Sequence, residues 1–289
     1  MNYRHHYHAG NFADVMKHAL LIALVRALQK KEKGFLYLDT HAGRGSYDLA
    51  AAAAGDTHAR TPEWPEGVGR LWRRPAGELP GGVAEYLALV REYDRREGNV
   101  TAEPRFYPGS PLLVSLVARP QERLVLCERQ PAEGAALKEK FQFTDGAQVR
   151  EADGYAAVRA VLPPLEKRAL VLVDPPFEAQ DEWAQIVATF KDGLRRLPGG
   201  VFVAWYPLTE RAKVDLFFAE LRALQLPPTL AVELIVNPPA AKMVGCGLLI
   251  VNPPWKFADE AAATVEFLAK VLGQGRGARG DLIWLVAEK

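Results

Sequence analysis

The chain has 289 residues, of which 49% are apolar and 25% are charged, and its formal net charge is +1. This composition excludes a disordered chain and suits one large α/β domain or two small ones. The only two cysteines, Cys127 and Cys246, provide neither a disulfide framework nor metal-site spacing, which favours a reducing compartment. We see no secretory signal and no apolar run long enough to cross a bilayer, so we expect a cytoplasmic protein.

The first helix is predicted from Asn11, a good capping residue, to about Lys33, with Gly34 as the stop. Positive charge is concentrated here. Within residues 1–33, six basic side chains oppose two acidic ones (six minus two, a local +4), namely Arg4, Lys17, Arg26, Lys30, Lys31 and Lys33 against Asp14 and Glu32. Two interpretations stay open, a solvated tail with a helix end or a positive surface for a phosphate backbone.

A strand within residues 34–47 opens into a glycine-containing turn, and residues 50–105 then lose any strand pattern. Prolines and glycines punctuate that segment, which we interpret as a mostly helical insertion within one domain, residues 1–289. Beyond it, strands alternate with helices, which predicts βαβ units and a mainly parallel α/β sheet. The predicted later strands are Arg123–Cys127, Gln148–Glu151, Ala169–Val173, Val201–Trp205, Thr229–Ile235, Cys246–Val251 and Leu282–Val286.

Polar groups follow four successive strands of this predicted sheet. The first strand ends in the turn 39–45, the second in Glu128, the third leads into Asp153-Gly154 and the fourth ends in Asp174-Pro175-Pro176-Phe177. Ligands of open α/β sheets bind outside the carboxyl ends of the strands. Each of these signals is weak alone, but their order indicates one site with a glycine turn, a ribose-binding acid and an acid for an adenine edge.

The fourth motif has a chemical interpretation. The amine of adenine is a poor nucleophile, and acceptors for its N–H protons localise its lone pair. Asp174 and the carbonyl of Pro175 supply two acceptors, Pro176 adds no donor, and Phe177 offers a face for stacking. The sequence 252–255 has a similar form and 237–239 a partial one, but both follow late strands. We therefore favour Asp174 and expect Trp255 to pack on the substrate side or in the core.

The sequence resembles the bacterial RlmJ family, S-adenosylmethionine-dependent methyltransferases that modify N6 of an adenine in 23S ribosomal RNA. The likeness rests on YRHHYHAGNFADVMKH, FLYLDTHAGRG, YPGSP, ADGY, LVDPPFE, WYP and VNPPWK, which span nearly the whole chain. Phe177 stands where the family usually has tyrosine. The resemblance implies a Rossmann-like class I methyltransferase fold with an inserted small helical subdomain.

The resemblance also implies residue roles. Those assigned to S-adenosylmethionine are His18, His41, Gly43, Ser110, Glu128, Asp153, Gly154 and Asp174. The target amine is assigned to Asp174 through Phe177, and the RNA to Tyr3, His5 and Lys17. The expected partner is large-subunit ribosomal RNA, naked or partly assembled, bound by a monomer that uses no metal and no membrane.

Three alternatives remain beside ribosomal RNA adenine-N6 methylation. The same acid-Pro-Pro-aromatic motif serves a DNA adenine methyltransferase or a protein glutamine methyltransferase, because both act on a planar amine. A cofactor-binding RNA scaffold with an idle site is a non-catalytic alternative. An NAD enzyme also uses a glycine turn and a following acid, but it does not require the fourth-strand motif.

Overall fold

The structure is a computed structural model that describes residues 7–54, 61–237 and 241–288. Its centre is a sheet of eight strands in the order β10-β8-β9-β7-β6-β1-β4-β5, and a separate pair joins β2 to β3. The strands are β1 Leu36–Asp39, β2 Ser46–Asp48, β3 Phe106–Pro108, β4 Arg123–Cys127, β5 Ala147–Arg150, β6 Ala169–Val173, β7 Val201–Leu208, β8 Thr229–Ile235, β9 Gly245–Val251 and β10 Arg279–Val286.

The prediction of a mainly parallel sheet is confirmed. Strands β5, β4, β1, β6 and β7 run parallel to one another, whereas β9 is antiparallel to β7 and β8, and β10 is antiparallel to β8. We call the side at which the five parallel strands end the carboxyl edge, and the opposite side the amino edge. Because β9 runs backwards, the residues that follow it lie at the amino edge.

Helices cover both faces of the sheet. They are α1 Phe12–Gln29, α2 Leu49–Ala54, α3 Val68–Trp72, α4 Gly81–Arg96, α5 Ser110–Val117, α6 Pro131–Phe141, α7 Gly154–Val161, α8 Glu182–Arg196, α9 Arg211–Arg222 and α10 Phe257–Leu272. Helices α1, α4, α5, α6 and α10 pack in one apolar cluster, and α7, α8 and α9 pack in the other. Alternate residues of the strands contribute to the two clusters, as the pleat requires.

Helix α1 is the central helix of its face and is almost entirely buried over its first 14 residues. The predicted cap is confirmed, since Asn11 accepts a hydrogen bond from the amide of Asp14 at 3.0 Å. The helix ends at Gln29, four residues before the predicted Lys33. Lys17 is 6% exposed near its start, and Lys30 lies 13 residues further on, about 20 Å along the axis. The basic side chains described here therefore do not form one positive surface.

Two short strands and one helix escaped prediction. Strands β2 and β3 have three residues each and pair antiparallel, which brings the two ends of the segment carrying α2, α3 and α4 together. Helix α5 starts directly after β3 and packs against α1. Three residues are too few to show an alternating pattern, so the sequence offered no strand signal at either place.

Candidate active site at the carboxyl edge

The four predicted segments meet at the carboxyl edge. Asp39, the last residue of β1, lies level with Leu126 of β4 and Leu172 of β6. Val173 of β6 lies level with Ala204 of β7, which places Trp205 beside Asp174 in the neighbouring strand. The end of β5 is level with the end of β4, since Arg150 pairs with Cys127. The ends of β1, β4, β5 and β6 therefore bring their following residues to one rim, as parallel strands must.

Asp39 organises the first turn, although the sequence interpretation assigned it no role. It is fully buried and accepts hydrogen bonds from the Tyr37 hydroxyl at 2.8 Å, the Ser110 hydroxyl at 2.7 Å and the His41 amide at 3.3 Å. Burial raises the pKa of Asp39 to about 6, against the opposing effect of these hydrogen bonds. Ser110, which was assigned to the cofactor, uses its hydroxyl to tie α5 to β1.

His41 is held in one tautomer. The Thr40 hydroxyl donates to the Leu172 carbonyl at 3.0 Å, so it accepts from the Nδ1–H of His41 at 2.8 Å. Burial lowers the pKa of His41 to about 4, and the ring is therefore neutral near pH 7. Its edge meets the ring of Tyr155 at 4.9 Å. The remaining nitrogen, Nε2, is consequently a hydrogen-bond acceptor at the rim.

Glu128 is anchored by backbone amides rather than by a cation. Its Oε2 accepts from the amide of Gly43 at 2.9 Å, and its Oε1 accepts from the amide of Gln130 at 2.7 Å. Burial raises the pKa of Glu128. Gly43 has a φ of +61°, and a Cβ there would lie 2.5 Å from the hydroxyl of Tyr47. Each carboxylate oxygen keeps a lone pair, which suits a ligand with two neighbouring hydroxyls.

Asp153 and Gly154 begin α7. The Asp153 side chain caps the helix by accepting from the amide of Ala156 at 3.0 Å. Gly154 lies so close to the first turn that a Cβ would be 1.9 Å from the carbonyl oxygen of Thr40. Backbone packing is therefore sufficient reason for a glycine at 154. The same contact fixes the start of α7 against the turn after β1.

Asp174 forms an ion pair that the sequence did not reveal. The ammonium of Lys17 lies 2.6 Å from Asp174 Oδ2 and 2.8 Å from Asp14 Oδ1. Burial alone would lower the pKa of Lys17, but the charges of Asp14 and Asp174 outweigh it and hold the pKa well above its ordinary value. Lys17 is therefore a buried cation and does not lie on an exposed surface. Its contact with RNA stays a prediction, for a base that enters beside Asp174.

His18, the neighbour of Lys17, is enclosed by protein at 1% exposure. Its Nδ1 lies 2.7 Å from the Tyr107 hydroxyl, the two rings stack at 5.7 Å, and Tyr107 in turn contacts the Tyr86 hydroxyl at 2.9 Å. This chain of polar contacts joins α1 to β3 and α4. The contact of His18 with a cofactor stays a prediction, and its polar partners here include the Tyr107 hydroxyl.

The Asp174 turn, residues 174–177, continues into an aromatic group. Phe177 has a φ of +53°, a conformation that L-residues seldom adopt. Its ring meets Trp183 edge-on at 4.8 Å and Trp205 at 5.7 Å. Pro175 is buried and Pro176 half-buried, so the turn has little freedom. The carboxylate and the aromatic group lie side by side at the rim.

The Asn252 turn, residues 252–256, lies at the other edge. Val251 of β9 pairs with Phe202, near the start of β7, so the turn is at the amino edge. Trp255 is 75% exposed, and the ammonium of Lys256 sits 4.4 Å from its ring centre. The expectation that Trp255 packs on the substrate side or in the core is wrong. The direction of β9, which the sequence does not show, decides this.

Some expectations concern positions outside the described residues. Tyr3 and His5 precede the described residues, and Pro238 and Pro239 of the partial motif lie in the gap between residues 237 and 241. Among residues 7–54, 61–237 and 241–288, no cluster of histidine, cysteine or acidic side chains is arranged to hold a metal ion. Within the same ranges, no helix has the length and apolar character needed to span a membrane.

Comparison with known proteins gives a consistent answer. A family model described as ribosomal RNA large subunit methyltransferase D, RlmJ, matches residues 32–286. Two proteins named ribosomal RNA large subunit methyltransferase J are similar over 100% of both chains: one from Escherichia coli K12 at 36% identity and one from Haemophilus influenzae at 34%.

Solved structures agree with this result. The crystal structure of a Legionella pneumophila protein superposes with a TM-score of 0.83 at 33% identity, covering 96% of this chain and 97% of that one. A probable spermidine synthase from Corynebacterium glutamicum shares only the fold, with a TM-score of 0.50 at 12% identity over 92% of this chain and 74% of that one. The chain therefore belongs to the RlmJ family of large-subunit ribosomal RNA methyltransferases.

Proposed function

We propose that the protein transfers a methyl group from S-adenosylmethionine to N6 of an adenine in 23S ribosomal RNA. The observation that carries this proposal is the Asp174 carboxylate, held by buried Lys17 through Oδ2 and placed beside Phe177 at the carboxyl edge. The names of the Escherichia coli and Haemophilus influenzae relatives support the substrate class.

Asp174 and its turn act on the amine. Lys17 occupies Oδ2, and no described residue hydrogen-bonds Oδ1, which leaves that oxygen to accept one N6–H of adenine. The carbonyl of Pro175 accepts the other, and the base stacks on Phe177. S-adenosylmethionine, when bound, supplies an electrophilic methyl group. S-adenosylhomocysteine would be the product that leaves, and Asp174 would accept the proton that N6 loses. Holding the amine in line accounts for most of the expected rate gain.

The residues at the rim fit a nucleoside-containing donor. Glu128 keeps a lone pair on each oxygen for the ribose hydroxyls. The Tyr155 hydroxyl is buried without a hydrogen-bond partner among the described residues, next to His41. Such an unpaired group is costly unless a ligand or water meets it. The cofactor-contacting set that we propose is His18, His41, Gly43, Ser110, Glu128, Asp153, Gly154 and Asp174.

The RNA must present its adenine unstacked, because a stacked N6 cannot reach Asp174. Flipping a base costs a few kcal/mol, least for an unpaired one. We assign Tyr3, His5 and Lys17 to the RNA, naked or partly assembled. The enzyme acts as a cytoplasmic monomer, as one domain 1–289 in which residues 50–105 form a helical subdomain beside the site.

The test is methyl transfer from labelled S-adenosylmethionine to unmodified large-subunit RNA, small-subunit RNA and adenine-containing DNA, with nucleoside analysis. We expect N6-methyladenosine in large-subunit RNA alone. Asp174→Ala should lower kcat by about 10²–10³, the loss seen when one stabilising partner of a reacting group is removed. Asn252→Ala is the matched control at the other turn and should retain kcat. Label in DNA, or in no nucleic acid despite cofactor binding, would contradict the proposal and favour a DNA or protein substrate.

A further inference from the structure

Three segments with an excess of basic side chains meet at the amino edge, opposite the candidate active site. Segments 30–33, 119–123 and 166–168 lie at the starts of the neighbouring strands β1, β4 and β6. We call them together the amino-edge basic surface. Its basic residues are Lys30, Lys31, Lys33, Arg119, Arg123, Lys167 and Arg168, and its acidic residues are Glu32, Glu122 and Glu166. Seven minus three gives it a net charge of +4, whereas the rest of the chain has 29 basic and 32 acidic residues, a net −3.

Hydrogen bonds between the segments give this surface a fixed shape. The guanidinium of Arg119 donates to the carbonyl of Lys31 at 3.0 Å, and that of Arg168 donates to the carbonyl of Lys33. Both bonds use the backbone of segment 30–33, so they hold it against the starts of β4 and β6 without engaging its ammonium groups. The backbone of the surface is therefore fixed, and its lysine side chains are exposed.

The lysines of this surface are not neutralised by the protein. Lys30, Lys31, Lys33 and Lys167 are exposed, and in the described ranges none of them forms an ion pair. Three other exposed lysines have acidic partners: Lys138 pairs with Glu151, Lys213 with Glu210 and Lys270 with Glu266. Like charges held close together repel one another and destabilise the compact state. An anionic partner relieves this repulsion, so the surface suits a polyanion.

The candidate active site does not supply this attraction for RNA. Asp39, Glu128, Asp153 and Asp174 make the described part of its rim acidic, and the ammonium of Lys17 already lies 2.6 Å from Asp174. Phosphate contacts from lysine and arginine provide nearly all of the non-specific affinity of proteins for nucleic acids. An RNA that offers its adenine to Asp174 therefore gains little from the described rim and needs phosphate contacts elsewhere on the protein.

We propose that the amino-edge basic surface binds phosphates of the substrate RNA at nucleotides away from the target adenine. This inference rests on the proposed function and adds a second contact with the same RNA. Strand β6 joins the two sites, since Lys167 and Arg168 precede it and Asp174 follows it. Its five residues span about 17 Å at roughly 3.3 Å per residue. A single RNA-binding domain can contact about 16 base pairs, so one folded RNA can reach both edges.

The first experiment measures affinity for unmodified large-subunit ribosomal RNA as a function of salt. Lys30→Gln, Lys31→Gln and Lys33→Gln are combined in one protein, the neutralised surface variant. Its Kd should rise by about 10–50-fold at about 0.15 M salt, and the slope of log Kd against log salt should fall by about 2, since each phosphate contact contributes about 0.7–0.9. The kcat at saturating RNA should stay at the wild-type value, because the substitutions lie at the edge opposite Asp174.

The matched control combines Lys138→Gln, Lys213→Gln and Lys270→Gln, which removes the same number of charges from lysines that have acidic partners. Its Kd for RNA and its salt slope should stay near the wild-type values. A control that loses as much affinity as the neutralised surface variant would show that only net charge matters, and it would overturn the proposal. An unchanged Kd in the neutralised surface variant has the same consequence.

The second experiment locates the RNA on the protein. Cys127 and Cys246 are the only cysteines and both are buried, so Lys33→Cys provides one accessible thiol for tethered iron–EDTA. Hydroxyl radicals from it should cleave bound large-subunit RNA at nucleotides distinct from those cleaved from Gln180→Cys, an exposed position beside the Asp174 turn. Cleavage from position 180 without cleavage from position 33 overturns the second contact.

Two further outcomes are distinguishable. Vesicles containing phosphatidylserine that bind the wild type and not the neutralised surface variant, together with equal RNA affinity of the two proteins, would assign the surface to anionic lipid and overturn the proposal. A wild type that binds RNA with the expected salt dependence but transfers no methyl group refutes the proposed function and leaves the RNA-binding surface standing. The affinity and cleavage readouts do not depend on methyl transfer.

Discussion

Two turns of nearly the same sequence end two strands of one sheet and have opposite surroundings. The Asp174 turn follows β6 at the carboxyl edge, where its acid meets buried Lys17 and its aromatic ring packs against two tryptophans. The Asn252 turn follows β9 at the amino edge. There the Asn252 side chain donates to the carbonyls of Pro198 and Gly200 at 2.8 Å each, and Trp255 projects into solvent.

The difference lies in strand direction rather than in the motif. Strand β6 is parallel to both neighbours, so its end faces the rim that the glycine turn and Glu128 also reach. Strand β9 is antiparallel to both neighbours, so an almost identical sequence is carried to the other side. In this chain the Asp/Asn-Pro-Pro-aromatic sequence therefore forms a strand-end turn twice, and its chemistry depends on what the sheet places beside it.

The largest expected difference between the two turns concerns their lysines. Lys17→Met removes the ammonium that lies between Asp14 and Asp174 and leaves the Asp174 carboxylate without a cation among the described residues. Stripping one partner from a buried pair costs about 3–5 kcal/mol of the free energy of unfolding. Urea denaturation measures this loss. Lys256→Met at the other turn is the control and should change it by less than about 0.5 kcal/mol. Equal losses would show that the two turns are electrostatically alike.

A medium effect is expected when the Asn252 turn is given the acid of the Asp174 turn. In Asn252→Asp the side chain can no longer donate to the Pro198 and Gly200 carbonyls, and its charge opposes them. We expect a loss of about 1–3 kcal/mol in the free energy of unfolding, because two acceptors lose their donor. Methyl transfer by the folded variant should be unchanged, since the turn lies at the amino edge. A fall in kcat at a temperature where the variant is folded would show that the Asn252 turn at the amino edge affects catalysis at the carboxyl edge.

The smallest effect is expected at Trp255. Because this side chain is 75% exposed, Trp255→Ala should change the free energy of unfolding by no more than about 0.5 kcal/mol. Phe257, two residues later and 2% exposed, is the contrasting position, and its replacement by alanine should cost about 3–5 kcal/mol. Thermal denaturation of both variants checks the pair. A large loss for Trp255→Ala would mean that its ring packs on the protein.

The sequence predicted most of the sheet because its strands carry apolar runs that end abruptly. Ala169–Val173, Arg123–Cys127 and Thr229–Ile235 have the predicted bounds. The polar residues after β1, β4 and β6 could be placed at one rim because parallel strands share a carboxyl edge. Strand direction could not be predicted in the same way, since β9 has the same apolar character as the parallel strands β6 and β7. Trp255 was misplaced for that reason.

The contacts of the site were harder to predict than its members. Lys17 was recognised as unusual in an apolar helix, but nothing local indicates that its partner is Asp174. Asp39 is part of the motif FLYLDTHAGRG and received no role. From the sequence alone, a buried acid held by Tyr37 and Ser110 cannot be distinguished from an ordinary turn residue. Burial, which decides the roles of both Lys17 and Asp39, is a property of the folded chain.

The ion pair between Lys17 and Asp174 also determines how early the active site can form while the chain is being synthesised. Lys17 and Asp174 are 157 positions apart, so at about 5–20 residues per second the ribosome needs roughly 8–30 s to deliver the second after the first. In that interval helix α1 has only Asp14 as a partner for the ammonium, three residues away. Strand β1 likewise waits for β4 and then β6 on its two sides. A nascent chain shorter than 174 residues thus lacks Asp174 and all of strands β7 to β10, so the enzyme cannot be active on the ribosome before that length is reached.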